Sequence, residues 1–241
     1  MSLTPLQDDG FPSFTKTSHR TPYASISPTR PELSLKGKTV IITGAGSGIG
    51  RTTALAFAAA GASSIFLLGG RREELLVETA HQISIQNPST KVDYAAISIS
   101  NTAAIKSIIA TKIESWDVLL LNAGYLPSPC PLLEADLNDW GSAWSTNFSG
   151  NLQILQLLLP KRRPDASVLG TNTCGISLAT EWCVGLLPYV ASKIAFAKAL
   201  EVLTAEVKDC HFVSFHPGSG EFSEAVWDDG SRDALTRALQ W

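Results

Sequence analysis

Apolar residues follow two rhythms along this chain. Short apolar runs at 39–43, 64–68, 91–97, 116–122, 167–171 and 212–216 read as strands buried on both faces. Between them, helical patterns cover 48–60, 72–87, 101–114, 137–159 and 188–207. Strands separated by helices predict an α/β fold, a doubly wound parallel sheet with helices on both faces, over one domain from 36 to 241. Residues 1–35 break the rhythm. They are rich in Ser, Thr and Pro (Pro5, Pro12, Pro22, Pro28, Pro31) and carry too little apolar surface to offset their ordering entropy, so an extended arm is predicted there.

One segment carries chemistry directly. The run Thr43-Gly44-Ala45-Gly46-Ser47-Gly48-Ile49-Gly50 joins the first strand to the first helix. Free N–H groups and the helix dipole point at one spot there, which makes an anion site. Gly44 suits the tight turn, Gly48 lets a diphosphate approach the backbone, and Gly50 lets the helix pack closely on the strand. The spacing is G-x-x-x-G-x-G, distinct from the better-known G-x-G-x-x-G.

Composition narrows the remaining classes. The chain has 241 residues, 44% of them hydrophobic, enough for a sizeable core. A net charge of −3 without a basic run argues against nucleic acid or an anionic membrane as partner. No apolar stretch is long enough to span a bilayer, and Asp8-Asp9 follows an N-terminus without an apolar signal segment. Cys130, Cys174, Cys183 and Cys210 lack paired spacing, so reduced thiols, a cytoplasmic location and no metal site are expected.

Four motifs in order then carry a resemblance. The glycine turn, Asn122-Ala123-Gly124 after the fourth strand, Asn147 on the next helix, and Tyr189-x-x-x-Lys193 resemble the classical short-chain dehydrogenase/reductase family, over roughly residues 36 to 218. The arm, with Phe14-Thr15-Lys16-Thr17 and Ile26-Ser27-Pro28-Thr29-Arg30-Pro31-Glu32-Leu33, is similar to a subset from filamentous fungi. The resemblance implies a Rossmann-type oxidoreductase that interconverts a carbonyl and a secondary alcohol by hydride transfer, with a place in secondary metabolism. Its partner would be a small carbonyl or alcohol substrate, and it leaves room for a homo-oligomer. It also implies that Tyr189 exchanges the proton, Lys193 holds the nicotinamide ribose, and Asn147 carries a water-linked relay. Ser47, Gly48, Ile49, Gly50 and Asn122 would border the cofactor, and Pro217-Gly218 would sit near the nicotinamide carboxamide.

The residues support part of this independently. Tyr189 and Lys193, four apart on a helix, project from one face. A nearby ammonium favours the phenolate, which predicts a lowered Tyr189 pKa and a general acid/base near neutrality. At the end of the second strand Gly70 stands where an NAD enzyme of this type has a carboxylate. Arg71 comes next, able to fork onto a 2′-phosphate, so NADP (NADPH) is expected over NAD. Ser98 stands where the family often has an Asp beside adenine.

Two departures from the family remain. Counting back from Tyr189 to the usual serine lands on Ile176, one short of Ser177; reading the local motif instead points to Thr173, and both stay open. Residues 219–241 are shorter than the family's usual ending, so a truncated substrate-covering segment is expected. Two functions are therefore in play, an NADP-dependent oxidoreductase and a catalytically silent nucleotide-binding or scaffold protein on the same fold.

Overall fold

The computed structural model describes residues 23–70 and 72–218. Six strands form one sheet: β1 (Thr39–Thr43), β2 (Ser64–Gly69), β3 (Lys91–Ala96), β4 (Trp116–Leu121), β5 (Arg162–Thr171) and β6 (Cys210–Phe215). Their order is β3-β2-β1-β4-β5-β6, and every pairing is parallel. The helices are α1 (Gly48–Ala59), α2 (Glu73–Gln86), α3 (Thr102–Lys112), α4 (Leu137–Trp144), α5 (Asn151–Leu158) and α6 (Leu187–Glu206). The doubly wound prediction holds. Because strand order reverses between β1 and β4, a crevice opens at their carboxyl ends, where ligands of such sheets bind.

Strand side chains alternate between two separate cores, one on each face of the sheet. On one face Val40, Ile42, Ile65, Leu67 and Leu120 meet Ala54 and Ala58 of α1 and Leu76 and Ile83 of α2. On the other, Ile41, Phe66, Leu119 and Val168 meet Ile105 of α3, Ile154 and Leu158 of α5, and Phe196 and Leu200 of α6. Both sides of each inner strand are thus sealed, which is why these strands read as unbroken apolar runs. At the amino-terminal edge Asp117, 6% exposed, takes the Thr39 N–H at 2.8 Å, Lys38 Nζ at 3.1 Å and an Arg163 guanidinium nitrogen at 2.7 Å. Burial pushes its carboxyl up, but these partners outweigh it and hold its pKa below the ordinary value. That cluster locks the end of the sheet opposite the crevice.

Three elements differ from the sequence reading. The helix predicted over 137–159 is α4 and α5 joined by a π turn, Ser145–Gly150, and closed by a 3-10 turn, Leu159–Lys161. A π turn inserts one residue into the helix and so rotates the helix beyond it. The fifth strand begins five residues before the predicted start, and its first half carries Pro164, which lacks an N–H, and Asp165 at φ 58°. Both mask a strand pattern, and the pairing with β4 shifts register there. Of the arm, residues 23–35 fold into two 3-10 turns, Ala24–Ile26 and Pro31–Leu33, in place of extended chain. They are tied down where the Leu35 N–H meets the Ala60 carbonyl at 2.8 Å. Residues 1–22 and the predicted truncated segment after 218 lie outside the described residues.

The turn between β1 and α1 is packed from behind. A Cβ on Gly50 would collide with the Gly44 carbonyl oxygen and stand 2.7 Å from Asn122 Nδ2, whereas one on Gly70 would meet nothing within 4 Å. Close approach of Gly50 is therefore to the turn and to Asn122 rather than to a strand. Gly50→Ala should destabilise the fold by about 1–3 kcal/mol in urea unfolding, while Gly70→Ala should stay within about 0.5 kcal/mol of the parent. Equal effects at the two positions would contradict this packing.

Candidate active site

The glycine turn is open on the side away from Gly50. Gly44 and Gly48 take φ 68° and 50°, a region that favours glycine. A Cβ on Gly44 would press on Ala123, but one on Gly48 would meet no atom within 4 Å. Ser47 precedes α1 in extended conformation, and its hydroxyl caps no helix N–H. Ile49 lies in the first turn of the helix. The first N–H groups of α1, free of a side-chain cap, thus face an open cradle, which fits a diphosphate. Arg51 reaches back from α1 to the Gly46 carbonyl at 2.7 and 3.1 Å and to Thr79 of α2 at 3.1 Å, so the turn is braced from outside.

Partly buried hydrogen bonds join this turn to β4 and β5. Thr43 Oγ1 accepts the N–H groups of Asn122 and Ala123 at 2.9 and 3.0 Å. Asn122 Nδ2 donates to the Gly44 carbonyl at 3.3 Å, and Asn122 Oδ1 accepts from Thr171 Oγ1 at 3.3 Å. The Thr171 carbonyl in turn accepts from Lys193 Nζ at 2.9 Å. Gly124 leaves a gap between Asn147 and Lys193. A Cβ there would stand 3.4 Å from Asn147 Oδ1 and 3.6 Å from Lys193 Nζ.

Asn147 lies in the π turn, fully buried. Its Oδ1 accepts the Tyr125 N–H at 2.7 Å, and its Nδ2 donates to the Tyr125 carbonyl at 2.8 Å and to Ser192 Oγ at 3.0 Å. Ser192 Oγ donates to the Tyr189 carbonyl at 2.7 Å, so Asn147 is linked to α6 one residue before Lys193. Asn172, 4% exposed, bonds the Lys193 carbonyl and Ser214 Oγ, while its Oδ1 accepts the Thr173 N–H. Thr43, Thr171, Asn172 and Ser192 are silent in the sequence, because a lone hydroxyl or amide has no spacing signature.

The two open serine positions separate. Thr173 lies close enough to Tyr189 for its hydroxyl to pull the phenol's pKa down. Its Oγ1 also accepts the Gly175 N–H at 3.2 Å, at the start of the 3-10 turn Cys174–Ile176. Ser177 stands at the far end of that turn, exposed. Both line an open cavity of about 250 Å³ with Ile176, Phe215 and His216. Pro217 and Gly218 come after β6 at the same end of the sheet, Gly218 at φ 91°. Ser98 ends β3's side of the crevice, exposed, its hydroxyl shared with Ser100 at 2.8 Å. Arg71 lies outside the described residues.

Electrostatics correct one expectation. Lys193 Nζ stands 5.8 Å from the Tyr189 ring centroid, yet the Tyr189 pKa is raised, not lowered. Burial is the main cause, the nearby Cys174 thiol adds to it, and the Thr173 hydroxyl opposes both. The ammonium faces the ring and donates to the Thr171 carbonyl. Burial instead draws Lys193, 3% exposed, down to about 8 from 10.5.

Residues 38–223 match the family model described as short chain dehydrogenase. The chain belongs to the short-chain dehydrogenase family. With that family it is an oxidoreductase. It is 31% identical over 221 residues to a short chain dehydrogenase of Pseudocercospora fijiensis, spanning 88% of this chain and 69% of that one. It is 29% identical over 220 residues to short chain dehydrogenase mpl6 of Monascus purpureus, spanning 87% and 73%. A short chain dehydrogenase from Shigella flexneri 2a, solved complexed with NADP, superposes with a TM-score of 0.69 at 26% identity, over 78% of this chain and 80% of that one.

A buried lysine with a depressed pKa makes stability depend on pH. Below about pH 8 the folded chain carries the whole penalty of the buried charge, roughly 3 kcal/mol for a shift of this size. Between about 8 and 10.5 the unfolded chain holds the extra proton, so stability rises with pH until both forms are neutral. Lys193→Met should therefore be more stable than the parent at pH 7, by about 1–3 kcal/mol after loss of the Thr171 bond, and the gain should fade by pH 10. Urea unfolding at both pH values checks it; a Met variant weaker at pH 7 contradicts it.

Proposed function

We propose that the protein is an NADPH-dependent reductase of small carbonyl compounds, with Tyr189 as proton donor. The observation that carries this reading is the meeting of Tyr189, Thr173, Lys193 and Asn147 at the carboxyl ends of β4 and β5, beside an open glycine turn. The turn at 44–50 and Asn122 would hold the diphosphate half of the cofactor, and Lys193 the nicotinamide ribose. Bound there, the cofactor supplies the hydride. NADP is favoured over NAD because Gly70 puts no carboxylate against a 2′-phosphate, Arg71 comes next in the chain, and the Shigella flexneri relative was solved with NADP.

The chain's own groups handle the proton. Burial keeps the Tyr189 phenol protonated at neutral pH, the form needed to give a proton to a carbonyl oxygen. Thr173 is the hydroxyl that takes the family serine's role, since it stands beside Tyr189, lowers the phenol's pKa against burial, and can donate to the same carbonyl oxygen. Lys193, still charged below about pH 8, stabilises the phenolate left behind. Asn147 leads the replacement proton inward. A silent scaffold would have no use for a buried lysine held beside a half-buried phenol, so the site favours the enzyme.

Tyr189→Phe keeps the ring and removes the proton, so kcat with NADPH and a panel of ketones should fall by about 10² to 10⁴ while NADPH still binds. Thr173→Val should cost far more than Ser177→Ala, and parental turnover should decline as pH rises past about 8. Absorbance assays at the nicotinamide band read all three. Full activity in Tyr189→Phe would defeat the assignment.

A further inference from the structure

Asn151 opens α5 directly after the π turn and is fully buried. Its neighbours along the helix, Ile154, Leu155 and Leu158, are core residues. Its Nδ2 donates to the Asn147 carbonyl at 3.0 Å and to the Thr146 carbonyl at 3.4 Å, while its Oδ1 has no hydrogen-bond partner among the described residues. A buried amide with an unmet acceptor is costly, and an apolar side chain would avoid that cost. Something about the other end of the amide offsets it. Those two carbonyls belong to the widened turn Ser145–Gly150, whose regular i, i+4 bonding is disturbed.

The turn cannot easily be held from elsewhere. At its end, Gly150 packs so closely that a Cβ would stand 2.9 Å from the Ser145 carbonyl oxygen and 3.0 Å from Ile99 Cγ1. From within the turn, the Asn147 side chain bonds outward to both the Tyr125 backbone and Ser192. The geometry points to Asn151 as a positioning residue: its amide clamps the π turn and thereby aims Asn147 at the loop after β4 and at α6. For catalysis this rests on the proposed relay role of Asn147; for structure it stands alone.

Asn151→Leu replaces the amide with a side chain of similar size and removes the unmet acceptor. It should keep or raise the melting temperature, leave the NADPH dissociation constant unchanged, and lower kcat roughly tenfold to a hundredfold. Asn151→Thr should rescue much of that loss, because a threonine hydroxyl reaches the carbonyl four residues back, here that of Asn147. Adding Asn147→Ala to Asn151→Leu should cost little beyond Asn147→Ala alone. Amide hydrogen exchange at Tyr125, whose N–H Asn147 accepts, should quicken in Asn151→Leu and return toward the parent in Asn151→Thr. Unchanged exchange at Tyr125 in Asn151→Leu overturns the positioning role, as does a kcat loss that adds to that of Asn147→Ala. Faster exchange with parental turnover in Asn147→Ala would keep the clamp and defeat the relay instead.

Discussion

Everything at the crevice depends on how β1, β4 and β5 are tied together at their carboxyl ends. Parallel strands that reverse order leave backbone groups facing a cleft, and those groups need partners. Thr43 and Asn122 supply them. One hydroxyl accepts two N–H groups, one amide reaches the Gly44 carbonyl, and its oxygen accepts from Thr171. The glycine turn, with Gly50 pressed against Asn122, is thereby joined to the strand whose last carbonyl holds Lys193. The glycine turn and Lys193, with the roles proposed for them in cofactor binding and proton transfer, are two ends of one hydrogen-bonded chain.

That chain explains a lysine buried at a cost. Lys193 is nearly inaccessible, its charge is opposed by burial, and the group its ammonium bonds is a neutral carbonyl. A packing role would be served better by methionine. What the ammonium gains is position: beside the Tyr189 ring and across Gly124 from Asn147. The phenol is held neutral by the same burial, with Thr173 against it. Under the proposed mechanism, stability is sacrificed to keep a charge next to a protonated acid, the trade-off common to active sites.

Much of this is legible in the sequence because it is local. Apolar runs and glycine spacing mark the sheet and the turn, and Tyr189 and Lys193 share a helix face. The hidden features depend on contacts between distant segments. Pro164 and Asp165 disguise the first half of β5, and the π turn leaves no mark beyond Gly150 in a helical pattern. Thr173 and Ser177 do not separate by counting, since the chain between β5 and α6 runs through two 3-10 turns, Cys174–Ile176 and Thr180–Cys183, that counting cannot see. The direction of the Tyr189 shift escapes the sequence for a physical reason: spacing shows that an ammonium is near, but not that it faces the ring while burial acts on the oxygen.

Asn122→Ala tests the union of the two ends most directly. It removes the side-chain bonds to Gly44 and Thr171 and leaves the backbone bonds to Thr43 intact. NADPH affinity by fluorescence titration and kcat on a reducible ketone should fall together in the folded variant, each by roughly tenfold for the loss of two part-buried bonds. A folded Asn122→Ala protein that binds NADPH and turns over as the parent does would contradict it.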